Sequence, residues 1–458
     1  MTLIAEKLAA FAADLDDGAI PPAVRRRAAH LMLDGAGIAY ASTTFDFARQ
    51  TVAALSTFEG GDCPMIGMRK TLALRDAVMV NGILVHGLDF DDTHLVGVVH
   101  ATASCFPTAL GTAWAGARSG RDMLTAYVIG METAARLGAV AKGEMNQIGF
   151  HPTGVIAAFA CALIAGRLAR LTREQLVMAQ GIALSMAAGT REYSSNGAST
   201  KRMHPGWAGV CGITAARLAA SGFTGARSAY EGRFGLFATH LNIDPAKWDR
   251  GAATHALGEV WETAEVAIKP FPACQLSIAC IDAAIQLASE HNLNATDIAN
   301  VEALVAPHAV AIVCEPVAEK KRPASAYAAQ FSIQYAVACA LIHRRFGLAE
   351  LERHGDADIL GLADKVEYRV DPHTGYPKHF SGEVIVTLKD GRRIAHREQV
   401  NLGAADKPVA ADGIVAKFMG NAERAVSAAH AAKACEMILN VDALADAREL
   451  AQFLGAAG

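Results

Sequence analysis

LVHGLDFDDTH, residues 84–94, is the stretch whose reading decides the fold class. Read as the end of a buried strand, it offers Asp89-x-Asp91-x-Thr93 as the nucleophile loop of a magnesium phosphatase, and the chain becomes an α/β protein. Read as the end of a helix, it places one carboxylate beside a pocket, and the chain becomes mainly helical. A third reading makes Asp91-Asp92 half of an aspartate-rich magnesium site. The strand reading needs β-α-β alternation around it and a second acidic pair downstream. Neither is present: His86-Gly87 interrupts the run and the flanks carry helical patterns. The magnesium reading lacks a second acidic motif on a facing helix. A helix over 71–88, ending near Gly87, is therefore expected, with Asp91 and Asp92 as caps or structural partners.

Outward from this stretch, 458 residues exceed a single core, and two domains are expected. Apolar residues make up 52% of the chain and aromatics only 6%, so large buried surfaces must be built from small side chains. Small residues let helices approach closely, which predicts tight helical packing. The net charge of −4 gives no footprint for nucleic acid or an anionic membrane. No apolar run reaches the length of a membrane span. The start, MTLIAEKLAAFAADLDDGAIP, reads as an amphipathic helix and lacks the basic region and cleavage site of a signal peptide. Nine dispersed cysteines without CxxC pairs read as reduced thiols, so a cytoplasmic protein is expected.

Up to about residue 265 the chain reads as successive helices. Pro22 opens one at its first turn, and Thr172 caps another with Gln175 three residues on. Helices are expected over 106–117, 120–140, 153–170, 173–188 and 207–221. Beyond 265 the texture mixes: a helix at 277–291, a strand at 301–305, a long helix at 324–345, and a strand at 366–370. A hairpin is expected at 383–400 around Asp390-Gly391. Residues 414–456 return to helix and are expected to pack back on the first domain.

Four further segments gather polar chemistry where apolar helices begin or end. His100 lies in VVHATAS, and His151 opens a helix in GFHPTG with Pro152 at its first position. NGASTKRMHPG, 196–206, places Lys201, Arg202 and His204 in a Gly/Ser/Thr-rich loop. AIKPFPAC, 267–274, places Lys269 and Cys274 at the expected domain boundary. Each alone reads as a cap, a core histidine or a solvated charge. Together they suit a substrate with several carboxylates. Removing a proton next to a carboxylate needs cations around it and a base near neutrality, which an imidazole supplies. No HExxH, clustered cysteines, GxGxxG or P-loop appears, so neither a metal nor a cofactor is expected.

The order HGLDFDDTH…VHATAS, GFHPTG, GASTKRMHPGWAG, YEGRFGLF, IKPFPAC and AQFSIQYAVA resembles the MmgE/PrpD family over nearly the whole chain. The resemblance implies a mainly α protein with α+β content. It comprises a large all-helical domain from both chain ends, 1–265 and 406–458, and a smaller α+β lid domain, 266–405. It also implies a homodimer and a cofactor-independent site in the cleft between the domains. The resemblance places pocket residues on Asp89, Thr93, His100, His151, Lys201 and Lys269; on the reading of the residues, Asp89, His100, His151 and Lys201 are expected to be catalytic. Thr93, Arg202, His204, Lys269 and Cys274 would bind the substrate, a small di- or tricarboxylate. Where the decarboxylase branch carries a histidine, this chain has Cys274, and near VAPHAV it has Ala311 where that branch has a tyrosine. A 2-methylcitrate dehydratase-like enzyme is therefore the first expectation. An iminodisuccinate epimerase-like isomerase is second, and a cis-aconitate decarboxylase-like enzyme third. The non-enzyme alternative is a dimeric carboxylate-binding scaffold.

Overall fold

A computed structural model describes residues 2–376 and 379–456. Helix accounts for 57% of the residues and strand for 9%, a mainly α protein with a small α+β part. The chain begins with α1 (Ile4–Asp14), α2 (Pro22–Ser42) and α3 (Asp46–Leu55), then a hairpin of β1 (Cys63–Met65) and β2 (Met68–Leu72). It continues through α4 (Leu74–His86), α5 (Thr102–Gly116), α6 (Gly120–Ala141), α7 (Glu144–Gln147), α8 (Pro152–Leu168), α9 (Arg173–Leu184), α10 (Tyr193–Asn196), α11 (Thr200–Ala220) and α12 (Leu236–His240). Next come α13 (Ile278–Glu290), β3 (Ile298–Val305), α14 (Val317–Lys321), α15 (Ala326–Ala329), α16 (Ile333–His343), α17 (Leu348–Glu352) and α18 (Ala357–Ala363). Strands β4 (Val366–Val370), β5 (Gly382–Leu388) and β6 (Arg393–Glu398) follow, and α19 (Ala411–Ala422), α20 (Ala428–Leu439) and α21 (Arg448–Gly455) close the chain. Among the described residues no helix is long and apolar enough to cross a membrane.

Two compact units are present. The larger comprises Met1–Gly87, Asp91–Ala267 and Ala410–Gly458; the smaller comprises Leu88–Phe90 and Ile268–Val409. In the larger unit α8 is the central helix, buried along its whole length except at Arg167 and packed by α5, α6, α9 and α11. Its sequence, PTGVIAAFACALIAGRL, is apolar on every face, as a helix surrounded by others must be. Alanine and glycine set the spacing. A Cβ on Gly82 of α4 would stand 2.6 Å from the Gly206 Cα of α11, so these helices cross backbone to backbone. Both proline expectations hold: Pro22 and Pro152 occupy first-turn positions of α2 and α8. Thr172 and Gln175 form the expected capping box of α9.

Three expectations are corrected. The larger unit is not purely helical: Cys63–Leu72 forms an antiparallel hairpin. Asn81 of α4 accepts from the Ile66 N–H at 2.9 Å, and Gly67 N–H donates to the Leu454 carbonyl at 2.8 Å, so partners distant in sequence hold it. The loop expected over 196–206 ends at Ser199, because α11 starts at Thr200 and contains Pro205. Gly206 of this helix packs against the backbone of Met79 in α4. The long helix expected over 324–345 is split, since the hydroxyls of Ser325 and Ser332 accept backbone N–H bonds and start α15 and α16 separately.

In the smaller unit the sheet runs β4-β3-β5-β6, with β3 and β4 parallel and the other pairs antiparallel. Strand β5 alternates buried and half-buried positions as GEVIVTL predicts. Gly391, at φ 90°, supplies the left-handed residue of the turn to β6. Helices α13 and α16 pack on this sheet.

Candidate active site

Four elements of the larger unit bring imidazoles together. His86 is the last residue of α4, and Gly87 follows because a Cβ there would stand 2.3 Å from the Phe47 ring. His100 precedes α5, His151 is the N-cap residue of α8, and His204 lies in the second turn of α11. Ring centroids are 5.0 Å apart for His86 and His100, 5.6 Å for His86 and His151, and 5.2 Å for His151 and His204. His86, His151 and His204 are buried, while the His100 side chain keeps 13% exposure. The ring of Tyr193 stands 5.9 Å from both His151 and His204.

Hydrogen bonds fix what each ring can do. His100 Nδ1 lies 2.8 Å from the Asp92 carbonyl oxygen, an obligate acceptor, so Nδ1 carries the proton and Nε2 is the basic nitrogen. Thr93 Oγ1 adds a contact at 3.2 Å, and Thr153 Oγ1 accepts from the His100 backbone N–H at 3.0 Å. Thr93 is itself pinned to Ala267 by a pair of 2.8 Å backbone bonds. His86 Nδ1 donates to Asp91 Oδ2 at 2.7 Å, and the same oxygen lies 3.9 Å from His100 Nδ1. A carboxylate so placed stabilises an imidazolium that forms during a reaction. His151 Nδ1 and His204 Nδ1 are 3.0 Å apart, so one donates to the other. The Nε2 atoms of His86 and His151 are buried without a hydrogen-bond partner among the described residues.

Burial, then the nearby charges of His86 and Lys201, holds the His151 imidazole well below its ordinary range. The same causes bring His204 down to about 4. Both rings are therefore neutral at pH 7. Behind them, burial and then the Asp91 charge push the Asp92 carboxyl up to about 8. Asp34 is also raised by burial, although Lys417 Nζ stands 2.6 Å from its Oδ1.

The remaining expected residues are distributed as follows. Lys201 lies in the first turn of α11, near enough to oppose protonation of both His151 and His204. Arg202 Nε donates to the Gly87 carbonyl at 2.8 Å, and its guanidinium stands 4.9 Å from the Phe47 ring centre, fastening the end of α4. Asp89, Lys269 and Cys274 belong to the smaller unit. Asp89 takes a left-handed backbone at φ 50°, and Lys269 Nζ donates to its carbonyl at 2.7 Å and its carboxylate at 3.2 Å. Cys274, the one cysteine of nine that is not buried, precedes the short helix Gln275–Ser277 and donates its N–H to the Gln330 carbonyl at 2.9 Å. His86, Asp91, Asp92 and Tyr193 were not expected at the site. The sequence signal for His86 was its place in the last turn of an apolar helix, five residues before Asp91.

Among the described residues, His86, Asp91 and His100 offer ligand-type atoms within 4.8 Å of one another. Within this group His86 Nδ1 is hydrogen-bonded to Asp91 at 2.7 Å and His100 Nδ1 faces the Asp92 carbonyl at 2.8 Å. The arrangement is an acid–base cluster.

Residues 6–249 match the model of the MmgE/PrpD N-terminal domain, and residues 271–443 match that of the MmgE/PrpD C-terminal domain. The chain belongs to the MmgE/PrpD family. Similar family members include the cis-aconitate decarboxylase of Homo sapiens, 28% identical over 98% of this chain and 94% of its own length. That of Aspergillus terreus is 25% identical over 97% and 94%. A cis-aconitate decarboxylase-like protein of Aspergillus oryzae is 25% identical over 98% and 96%. As an MmgE/PrpD protein whose named relatives are decarboxylases over nearly its whole length, the chain is read as an enzyme.

Proposed function

We propose that this protein is a lyase that moves a proton at the carbon α to a carboxylate of a small di- or tricarboxylate, with dehydration as its leading reaction. The observation that carries the reading is the common orientation of the rings. His100 uses Nδ1 on the Asp92 carbonyl and His151 uses Nδ1 on His204, so the proton transfer of each ring falls to Nε2. Their surroundings differ, which separates their roles. His151, neutral through burial, suits the base that takes the carbon-bound proton. His100, as the imidazolium that nearby Asp91 stabilises, suits the acid that protonates the departing hydroxyl from Nε2 as water. Lys201 supplies positive charge beside the rings for a substrate carboxylate, where negative charge grows as the carbon loses its proton.

The names of the relatives favour a second reading, decarboxylation of cis-aconitate. Loss of carbon dioxide from a carbon next to the double bond shifts that bond by one position. It places an electron pair on the carbon α to another carboxylate, which must then be protonated. His100 would supply that proton.

The test is incubation in deuterated water with 2-methylcitrate, cis-aconitate and related acids, following deuterium at carbon, water loss and carbon dioxide. Exchange or turnover is expected on at least one tricarboxylate. His151→Ala and Lys201→Ala should each lower it by at least about 10²-fold with thermal unfolding near wild type. No exchange on any acid, or near-normal rates in both variants, would sink the assignment.

A further inference from the structure

The 3.0 Å contact between His151 Nδ1 and His204 Nδ1 has a chemical consequence. Two neutral imidazoles facing each other through the same nitrogen can hold only one proton between them. One ring is then the Nδ1–H tautomer and the other the Nε2–H tautomer. His151 Nε2, buried and without a hydrogen-bond partner among the described residues, is a basic lone pair in one arrangement and an N–H in the other.

We propose that His204 is the proton-relay partner of His151, a positioning residue that lets His151 Nε2 act first as base and then as acid. This rests on the reading of His151 as the carbon base. When Nε2 takes the substrate proton, the Nδ1 proton moves to His204 Nδ1. The positive charge then sits on His204, one ring further from the reacting carbon, and His151 is neutral with a proton on Nε2. When Nε2 gives up its proton, to solvent after the product leaves or back to carbon, the Nδ1 proton returns. Every proton is accounted for and both rings end in their starting forms.

The surroundings fit a transient charge. His86, Lys201 and His100 all oppose a lasting cation on His151, while burial and then His86 and Lys201 oppose one on His204. The geometry that holds the pair is fixed by the backbone. His151 N–H donates to the Gly189 carbonyl at 2.9 Å, and a Cβ on Gly154 would stand 3.0 Å from the His204 Cβ. His204 itself is 6% exposed, the most accessible of the three buried rings.

Two measurements test the relay. Nitrogen-15 spectra of histidine-labelled wild type, assigned with His151→Gln and His204→Gln, should show the two rings in opposite tautomers. Identical tautomers overturn the relay, whatever the enzyme turns over. The kinetic test uses His204→Gln, whose amide can hydrogen-bond His151 Nδ1 but cannot take its proton. It should lower kcat about 10²-fold with little change in KM. Rates in water–deuterium oxide mixtures should show one more exchangeable proton in flight in wild type, the Nδ1 proton, than in the variant. A His204→Gln enzyme with wild-type kcat and the same isotope profile would reduce His204 to orienting the ring and overturn the proposal. Failure of all acids to exchange overturns the reading of His151 as carbon base, and the tautomer result is independent of it.

Discussion

Asp91 Oδ2 lies 2.7 Å from the Nδ1 of His86 and 3.9 Å from that of His100, and its side chain is almost wholly out of solvent. One buried charge thus serves two imidazoles. Asp91→Asn keeps the shape and an acceptor for His86 but removes the charge that stabilises a cationic His100. The expected outcome is a kcat lower by about 10²- to 10³-fold, by analogy with other carboxylate–imidazole pairs. KM should change far less, and steady-state kinetics on the substrate found above checks both. A variant that retains wild-type kcat would remove Asp91 from the chemistry. At this scale the sequence was half legible. His100, His151 and His204 were visible because histidines at helix starts in apolar surroundings are unusual. Asp91 is readable only as a cap or structural partner, and His86 only as the last residue of an apolar helix. Their pairing depends on the turn after α4, where Asp89 sits at φ 50°, and no residue pattern announces that turn.

The elements that carry these side chains are held at fixed distances by small residues. Helix α4 brings His86 and α11 brings Lys201 and His204, and the two cross where Gly206 meets the backbone of Met79. A Cβ at Gly206 would stand 2.3 Å from the Met79 carbonyl oxygen, so Gly206→Ala must push the helices apart. Its expected cost is about 1–3 kcal/mol in denaturant unfolding, with a parallel loss of kcat because His86 and His204 separate. Gly361 in α18 is the contrast: a Cβ there meets nothing within 4 Å. Gly361→Ala should leave activity intact and stabilise by up to about 1 kcal/mol through helix propensity. Equal effects of the two substitutions would contradict this account. Helix existence was legible from period and caps, as Pro22, Pro152 and Thr172 show. What escaped was decided by distant partners. The β1–β2 hairpin depends on Asn81 and Leu454, and the start of α11 depends on its crossing with α4.

The larger unit as a whole buries charge that a core of small apolar residues does not require, and its stability should therefore respond to pH in opposing ways. His151 and His204 are held neutral by burial, so the unfolded chain binds more protons as pH falls below about 6.5 and acid destabilises. Asp92 runs the other way. Its folded value is raised from 3.8 to about 8, first by burial and then by Asp91, with Asp34 adding to it and Thr102 opposing. Between those values the folded state holds a proton that the unfolded chain has lost. The stability contributed by protonated Asp92 is complete below 3.8 and disappears as pH rises through about 8. Asp92→Asn keeps an acceptor for the Thr102 N–H, 3.4 Å away, and leaves the backbone carbonyl that holds His100. It does not titrate. The stability of the variant minus that of wild type should therefore grow with pH by at most about 1.4 kcal/mol per unit between 4 and 8, then level off. The histidine contributions are common to both proteins and cancel in the difference. Denaturant unfolding at five pH values measures it. A difference that stays constant from pH 4 to 9 would mean that Asp92 folds as an ordinary carboxylate, and that the charge behind the histidines is two carboxylates rather than one.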